Sequence, residues 1–248
     1  MKKIVTVALF FVLLISACQA AAPTAVPTTE PTAAPTTPPT PTSAPALFVD
    51  DFSGAQLNWG QFGVSTQLPT LADGVIHFPL NIVNKATAAA TGNKFPEDVI
   101  VTSDVTISND AGSHVIGIAC RYDPTLNGKA YLFYIAKFSG KTDRVAGISV
   151  YDPTGQQTGS LTEQPVTGDL ATATTFRLQA ECIGSRLILA INGQNLALAN
   201  DSSLPGRDAG LFAFGDGAGG EVQFDNFTVQ AATADQSEAA RLPVPKTP

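Results

Sequence analysis

Arg177, Gln179 and Glu181 alternate with Phe176, Leu178, Ala180 and Cys182. A period of two is the signature of a strand, with one parity facing a core and the other facing out. A guanidinium, an amide and a carboxylate at that spacing on a sheet surface could hydrogen-bond the vicinal hydroxyls of a sugar. The same three groups also suit a solvated sandwich face carrying a cross-strand ion pair. A second run, Ile116, Ile118 and Cys120, leads into Arg121. Tyr134 and Trp59 add aromatic surface on which a saccharide ring could stack. Trp59 reads equally as a core anchor beside the N-terminal strand.

The residues required for familiar catalysis are missing. Retaining glycoside hydrolysis needs a nucleophile and a separate acid, and the strand carrying Arg177 and Gln179 offers only Glu181. There is no Gly-x-Ser-x-Gly elbow, no His-Glu-x-x-His and no phosphate loop. The two histidines, His77 and His114, both lie in strand patterns, so a histidine metal cluster cannot be assembled. The glycine-rich stretch from Gly215 to Gly220 occurs once, whereas calcium-binding repeats need stacked copies, so it reads as a turn. Dispersed carboxylates at Glu181, Asp152 and Asp123 leave a hydrolase as the alternative to a binding module. A structural or adhesion module is the third class.

The N-terminus points to the compartment. Lys2 and Lys3 precede an apolar run from Ile4 to Ile15, which ends in Ser16-Ala17-Cys18. The run is too short to span a bilayer and fits the h-region of a signal peptide over residues 1–17. Its end resembles a bacterial lipobox. That resemblance implies that Cys18 becomes the mature N-terminus and carries acyl chains of the palmitate type, which anchor the protein on the extracytoplasmic face of a membrane. An ordinary secretory signal cleaved elsewhere is the alternative. Residues 18–46 follow as a linker. From Ala22 to Ala46 it is almost wholly Pro, Thr and Ala, with eight prolines and the single charge of Glu30. Such a segment favours polyproline II and reaches roughly 75 Å when extended. Residues 232–248 read as a disordered tail, leaving residues 47–231 as one domain.

The formal net charge is −7, and losing Lys2 and Lys3 with the signal would make it −9. With no Lys/Arg cluster, nucleic acid is excluded as a partner. Of three cysteines, Cys18 is assigned to the lipid, leaving Cys120 and Cys182. An even pair in an exported protein suggests a disulfide, with two separate buried thiols as the alternative. If the bond joins neighbouring strands, both apolar sets face one core. Arg121 then shares the opposite face with Arg177, Gln179 and Glu181.

Strand patterns recur throughout residues 47–231. They include 98–107, 114–122, 129–138, 146–151, 176–182 and 187–191, the last entering the hairpin signal Asn192-Gly193. About a dozen short strands with regular turns predict an all-β, two-sheet antiparallel β-sandwich or jelly roll.

Three stretches carry a resemblance: Phe48-Val-Asp-Asp-Phe-Ser-Gly54 followed by Trp59, Ala72-Asp-Gly-Val-Ile-His-Phe78, and Phe224-Asp-Asn-Phe-Thr-Val229. Together with Gly117-Ile-Ala-Cys-Arg-Tyr122, these resemble the concanavalin A-like lectin/glucanase superfamily, which includes laminin-G-like modules. The resemblance implies a jelly roll with adjacent first and last strands and a concave face that takes a glycan or cell-wall polysaccharide. The Glu-x-Asp-x-Glu motif of the glucanase members is absent, which implies a non-catalytic module. Glucanase relatives often hold one structural calcium ion, and their ligand positions fall on Asp51, Gly74 and Asp225. Oxygen ligands suit calcium, and the alternative is that Asp225 only caps the last strand.

Overall fold

The computed structural model describes residues 44–54, 56–62, 68–81, 85–125, 128–138, 140–141, 143–151, 157–233 and 235–236. The expected signal peptide (1–17), Cys18 with its expected lipid, most of the linker, Asp152 and most of the tail lie outside the described residues.

Among the described residues fifteen strands follow one another: β1 (Ala46–Asp50), β2 (Gly60–Gln61), β3 (Thr70–Ala72), β4 (Val75–Pro79), β5 (Lys85–Ala90), β6 (Val99–Ile107), β7 (His114–Tyr122), β8 (Ala130–Lys137), β9 (Arg144–Tyr151), β10 (Gln157–Pro165), β11 (Thr175–Ile183), β12 (Arg186–Ile191), β13 (Gln194–Asn200), β14 (Asp208–Gly215) and β15 (Glu221–Ala231). An eight-stranded sheet runs β13-β12-β11-β6-β15-β4-β3, with β1 also paired to β15. A five-stranded sheet runs β10-β9-β8-β7-β14. Strand β5 pairs with β2 and leads into a bond from Thr91 N–H to the Ala209 carbonyl of β14 (3.0 Å). All pairings are antiparallel, and Asp50 opposite Phe227 makes the first and last strands neighbours, as the resemblance implied.

The alternation read from the sequence is the alternation of burial. Phe176, Leu178, Ala180 and Cys182 of β11 point into the core, as do Ile116, Ile118 and Cys120 of β7. Cys120 and Cys182 are bonded. Because β7 and β11 belong to different sheets, the bridge crosses the sandwich and does not link neighbours in one sheet. This corrects the shared face expected for Arg121 with Arg177, Gln179 and Glu181. Period-two parity identifies the core side of a strand, but strands lying side by side and strands facing across the core produce the same pattern.

Arg121 departs from its strand as well. Asp208 pairs with Tyr122 and Ala209 with Cys120, so Arg121 is an extra residue in β7, with φ +53°. A bulge of this kind re-aims a side chain. The guanidinium turns to the end of the sandwich, donates from Nη2 to the Gly184 carbonyl (2.6 Å) and lies 6.0 Å from the Tyr131 ring centroid. Gly206 packs on this bulge, where a Cβ would come within 2.0 Å of the Arg121 carbonyl oxygen.

A charged cluster closes another part of the domain. Arg144, fully buried, places Nη2 3.0 Å from Asp110 Oδ2 and donates from Nη1 to the Ala173 carbonyl. Lys137 Nζ lies 3.2 Å from the same Asp110 oxygen, and buried His114 places Nε2 3.3 Å from Asp110 Oδ1. Burial pushes the His114 imidazole down to about 4 from 6.5; Asp110 and Asp216 oppose the shift, while Arg144 and Lys137 reinforce it. Burial alone would raise Asp110, but hydrogen bonding and charge from Arg144, with Lys137, hold its carboxyl below the ordinary value.

The folded His114 thus resists a proton that the unfolded chain accepts. Its contribution is complete above about pH 6.5 and is lost as pH falls towards 4, an effect of up to about 3 kcal/mol. Asp110 adds a further loss below its ordinary value of 3.8. Urea unfolding between pH 7.5 and 4.5 is expected to show falling stability, and His114→Gln is expected to flatten that slope. An unchanged slope in the variant would contradict this assignment.

Candidate functional site: an aromatic groove on the five-stranded sheet

The outer side of the five-stranded sheet is apolar, unlike an ordinary solvated face. Ala119 of β7, Tyr134 and Ala136 of β8 and Phe212 of β14 form a second hydrophobic cluster with Phe62, Ala88 and Ala90. Val115, Leu132, Val145 and Tyr151 pack against it. Both parities of β7 and β8 are therefore apolar. The signal was present in Tyr131-Leu-Phe-Tyr-Ile-Ala136, a continuous apolar run of the kind that marks strands covered on both faces.

A groove of about 300 Å³ opens on this face. Val115, Leu132, Tyr134, Ser149 and Tyr151 line it together with Phe138, Phe214 and Glu163. Phe138 and Phe214 are unusually exposed for phenylalanines, at 46% and 37%. Tyr134 pairs with Gly147 on β9, and Gly147 pairs with Glu163 on β10, so the three form one row across three strands. Tyr134 crosses over Gly147 and donates from Oη to Glu163 Oε2 (3.0 Å). A Cβ at Gly147 would lie 2.4 Å from Tyr134 Cζ and 2.5 Å from Oη, so the missing side chain is what lets the tyrosine lie flat. The exposed rings of Phe138 and Phe214, the half-buried Tyr151 and one oriented carboxylate are equipment for stacking and hydrogen bonding, above a buried floor of Tyr134 and Ser149. A hydrolase would need two carboxyl groups separated by roughly 5 to 9.5 Å, and Glu163 is the one carboxylate among the described lining residues.

Of the ligand residues expected from sequence, Tyr134 alone lines this groove. Arg177, Gln179 and Glu181 do share a face, the outer side of the eight-stranded sheet, where they satisfy one another and their neighbours. Arg177 donates to Asp104 Oδ1 (2.7 Å) and Thr102 Oγ1 (2.8 Å), and Gln179 donates to Glu181 Oε1 (2.8 Å). Asn226 holds the other Asp104 oxygen at 3.0 Å. This is the cross-strand ion-pair arrangement. Trp59 is buried, donates from Nε1 to Asp50 Oδ2 (2.8 Å) and packs edge-on against Phe227 at 4.7 Å. It is a core anchor. Phe138, Phe214 and Glu163 were missed in the sequence because each stands on a separate element with no local motif.

The carboxylates of the hydrolase alternative do not converge among the described residues. Glu181 lies on the eight-stranded sheet, whereas Asp123 stands at the end of the sandwich and accepts from Thr125 N–H (2.7 Å) and Oγ (2.6 Å). Asp123 borders a cavity of about 250 Å³ that also contains Asp208. Burial raises the pKa of Asp208. Both of its oxygens are committed, Oδ1 to Thr91 Oγ1 (2.6 Å) and its own neighbour Ala209 N–H (2.7 Å), and Oδ2 to Gly92 N–H (3.0 Å). It anchors the turn after β5 to β14.

Asp51, Gly74 and Asp225 approach one corner. Strand β15 pairs with β4 as far as Phe224–Ile76 and with β1 from Phe227–Asp50. The three positions flank this change of partner. Asp51 Oδ1 accepts from Ser53 N–H (3.1 Å) and Oγ (2.7 Å), and Asp225 Oδ1 accepts from Asn226 N–H (2.6 Å). Among the described residues no group of three or more His, Cys, Asp or Glu could hold a metal. A cation here would therefore draw on backbone carbonyls beside two carboxylates, a donor set that fits calcium.

No protein-family model matches the sequence, and no curated protein matches it significantly. Solved structures match the fold. The CBM2 module of Lactobacillus casei BL23 phage J-1 evolved Dit superposes with a TM-score of 0.57 at 13% identity, covering 76% of this chain and 96% of that one. The carbohydrate-binding module CBM66 from Bacillus subtilis gives 0.52 at 17% identity, covering 70% and 96%. The Bacillus licheniformis β-glucanase gives 0.52 at 11% identity, covering 78% and 100%. At these identities the likeness establishes the fold alone, a two-sheet antiparallel β-sandwich of the jelly-roll kind.

Proposed function

We propose that this protein is a lipid-anchored, extracytoplasmic module that binds carbohydrate without cleaving it. The saccharide lies in the groove on the five-stranded sheet. The observation that carries this reading is the convergence of Tyr134, Phe138, Tyr151 and Phe214 around Glu163, the one carboxylate of the described lining. Stacking on the exposed rings of Phe138 and Phe214, with the half-buried Tyr151, supplies contact area, and Glu163 supplies hydrogen bonds to hydroxyls. The one carboxylate among the described lining residues and the likeness to a solved carbohydrate-binding module support binding over turnover. The ligand is a glycan or cell-wall polysaccharide. The Pro/Thr-rich linker carries the domain away from a membrane held by Cys18, and a calcium ion at Asp51, Gly74 and Asp225 fastens the corner between β1, β4 and β15.

A glycan-array screen of the full chain tests the reading. Wild-type protein is expected to bind, and the Phe138→Ala/Tyr151→Ala double variant is expected to lose at least about tenfold in affinity, as the loss of two ring contacts implies. Equal binding by the double variant would move the site elsewhere. Anchoring is tested separately: Cys18→Ser should leave the membrane fraction while keeping wild-type thermal stability. A variant still anchored like wild type would contradict the lipid attachment.

A further inference from the structure

The groove described above carries a chemical bias that goes beyond sugar binding in general. Its described lining contains four aromatic rings and one charged side chain, and that charge is negative. Aromatic faces present the negative side of a quadrupole, so they attract cations as well as stacking with sugar rings. Glu163 adds a full negative charge at the rim. Its carboxylate is oriented because Tyr134 Oη donates to Oε2 at 3.0 Å, leaving Oε1 for a ligand. Tyr134 is fixed in turn by the space above Gly147.

The cations nearest in sequence are engaged or peripheral. Lys137 and Arg144 are committed to Asp110. Lys141 belongs to the turn after Phe138, where its N–H bonds the Phe138 carbonyl (3.0 Å), and is not among the lining residues. The chain as a whole carries −7. A uronate or sulfated glycan would therefore meet repulsion at Glu163 with no counter-charge in the described lining.

We infer that the groove prefers a saccharide bearing free, protonated amino groups, one of the glucosamine class, over its N-acetylated or acidic counterparts. This rests on the reading of the groove as a sugar site. An ammonium seated against Glu163 Oε1 would make a charge-assisted hydrogen bond. The aromatic faces of Tyr151 and Phe214 would add a cation–π attraction that an acetamide cannot make. Tyr134 acts as a positioning residue, holding the carboxylate towards the groove. Because Glu163 is exposed, its part in the preference is screened by salt.

Calorimetric titration of the full-length chain in detergent tests this with three probes of equal length: glucosamine, N-acetylglucosamine and galacturonate oligomers. The glucosamine oligomer is expected to bind about tenfold tighter than the N-acetylated one at low ionic strength. The galacturonate oligomer should bind most weakly, and the first gap should narrow at ~0.5 M salt. Glu163→Gln should bring the ratio of the first two close to one, because the amide oxygen still accepts from Tyr134 while the charge is gone. Tyr134→Phe should reduce the ratio without abolishing it. Equal or tighter binding of the N-acetylated oligomer, or a gap that survives Glu163→Gln, would overturn the amine preference and leave the sugar site standing. Failure of all three probes together with neutral hexose oligomers would overturn the sugar site itself, and the preference with it.

Discussion

Replacing both Cys120 and Cys182 by alanine is expected to cost the folded domain about 4 kcal/mol. The two residues are 62 apart in sequence, so the bond removes the entropy of a long loop from the unfolded chain. Its position adds to the effect. The bridge joins β7 of the five-stranded sheet to β11 of the eight-stranded sheet through a fully buried core, where the sheets are otherwise held by side-chain packing. Urea unfolding of the double variant should show a large drop in midpoint. Reduction of the wild-type protein should produce the same drop only when reductant is present during unfolding, because the sulfurs are inaccessible in the folded state. A double variant within about 1 kcal/mol of wild type would mean that the loop-closure argument fails here.

Asp110→Asn is expected to destabilise the domain by about 3 kcal/mol or more. The substitution is nearly isosteric and removes one charge. Asp110 is the anion against both Arg144, which is fully buried, and Lys137, and it also faces His114. Without it, two cations converge with no carboxylate between them, and a buried charge that loses its partner costs far more than an exposed one. Arg144→Met should be milder, because it removes the most deeply buried cation and leaves Asp110 paired with Lys137. Since Asp110 favours the protonated form of His114, the Asn variant should also hold the imidazole neutral to lower pH. Denaturant titrations at pH 7.5 measure the first effect, and the histidine proton resonance followed against pH measures the second. Stability within 0.5 kcal/mol of wild type, a margin typical of inconsequential surface changes, would remove the cluster from the account.

The strands were legible in the sequence because their cores follow a period of two: Phe176 to Cys182 and Ile116 to Cys120 are buried as their parity requires. The cysteine pair was legible from its even count and the compartment that the N-terminal sequence leads one to expect. The partner of each strand was not, and that is why Arg121 was expected beside Arg177. Nothing local marks Arg121 for a left-handed φ, a conformation that the bulge and the glycine-lined contact at Gly206 impose together. The groove was partly legible. Tyr134 was singled out, and the unbroken apolar runs of β7 and β8 could have shown that their outer face is apolar too. Glu163, Phe138 and Phe214 belong to separate segments that meet only because β10, β9, β8, β7 and β14 lie in that order. Such proximity follows from topology, which alternation and turn residues do not specify.

We propose that saccharide binds on the outer face of the five-stranded sheet. Amide chemical-shift mapping of the full chain during titration with an array-selected oligosaccharide tests it most directly. Shifts are expected to concentrate at Val115, Leu132, Gly147, Ser149 and Glu163, with the tyrosine ring signals of Tyr134 and Tyr151 moving together. Shifts concentrated instead at Thr102, Arg177, Gln179 and Glu181, or around Arg121 and Leu204 at the sandwich end, with the groove amides unmoved, would contradict it.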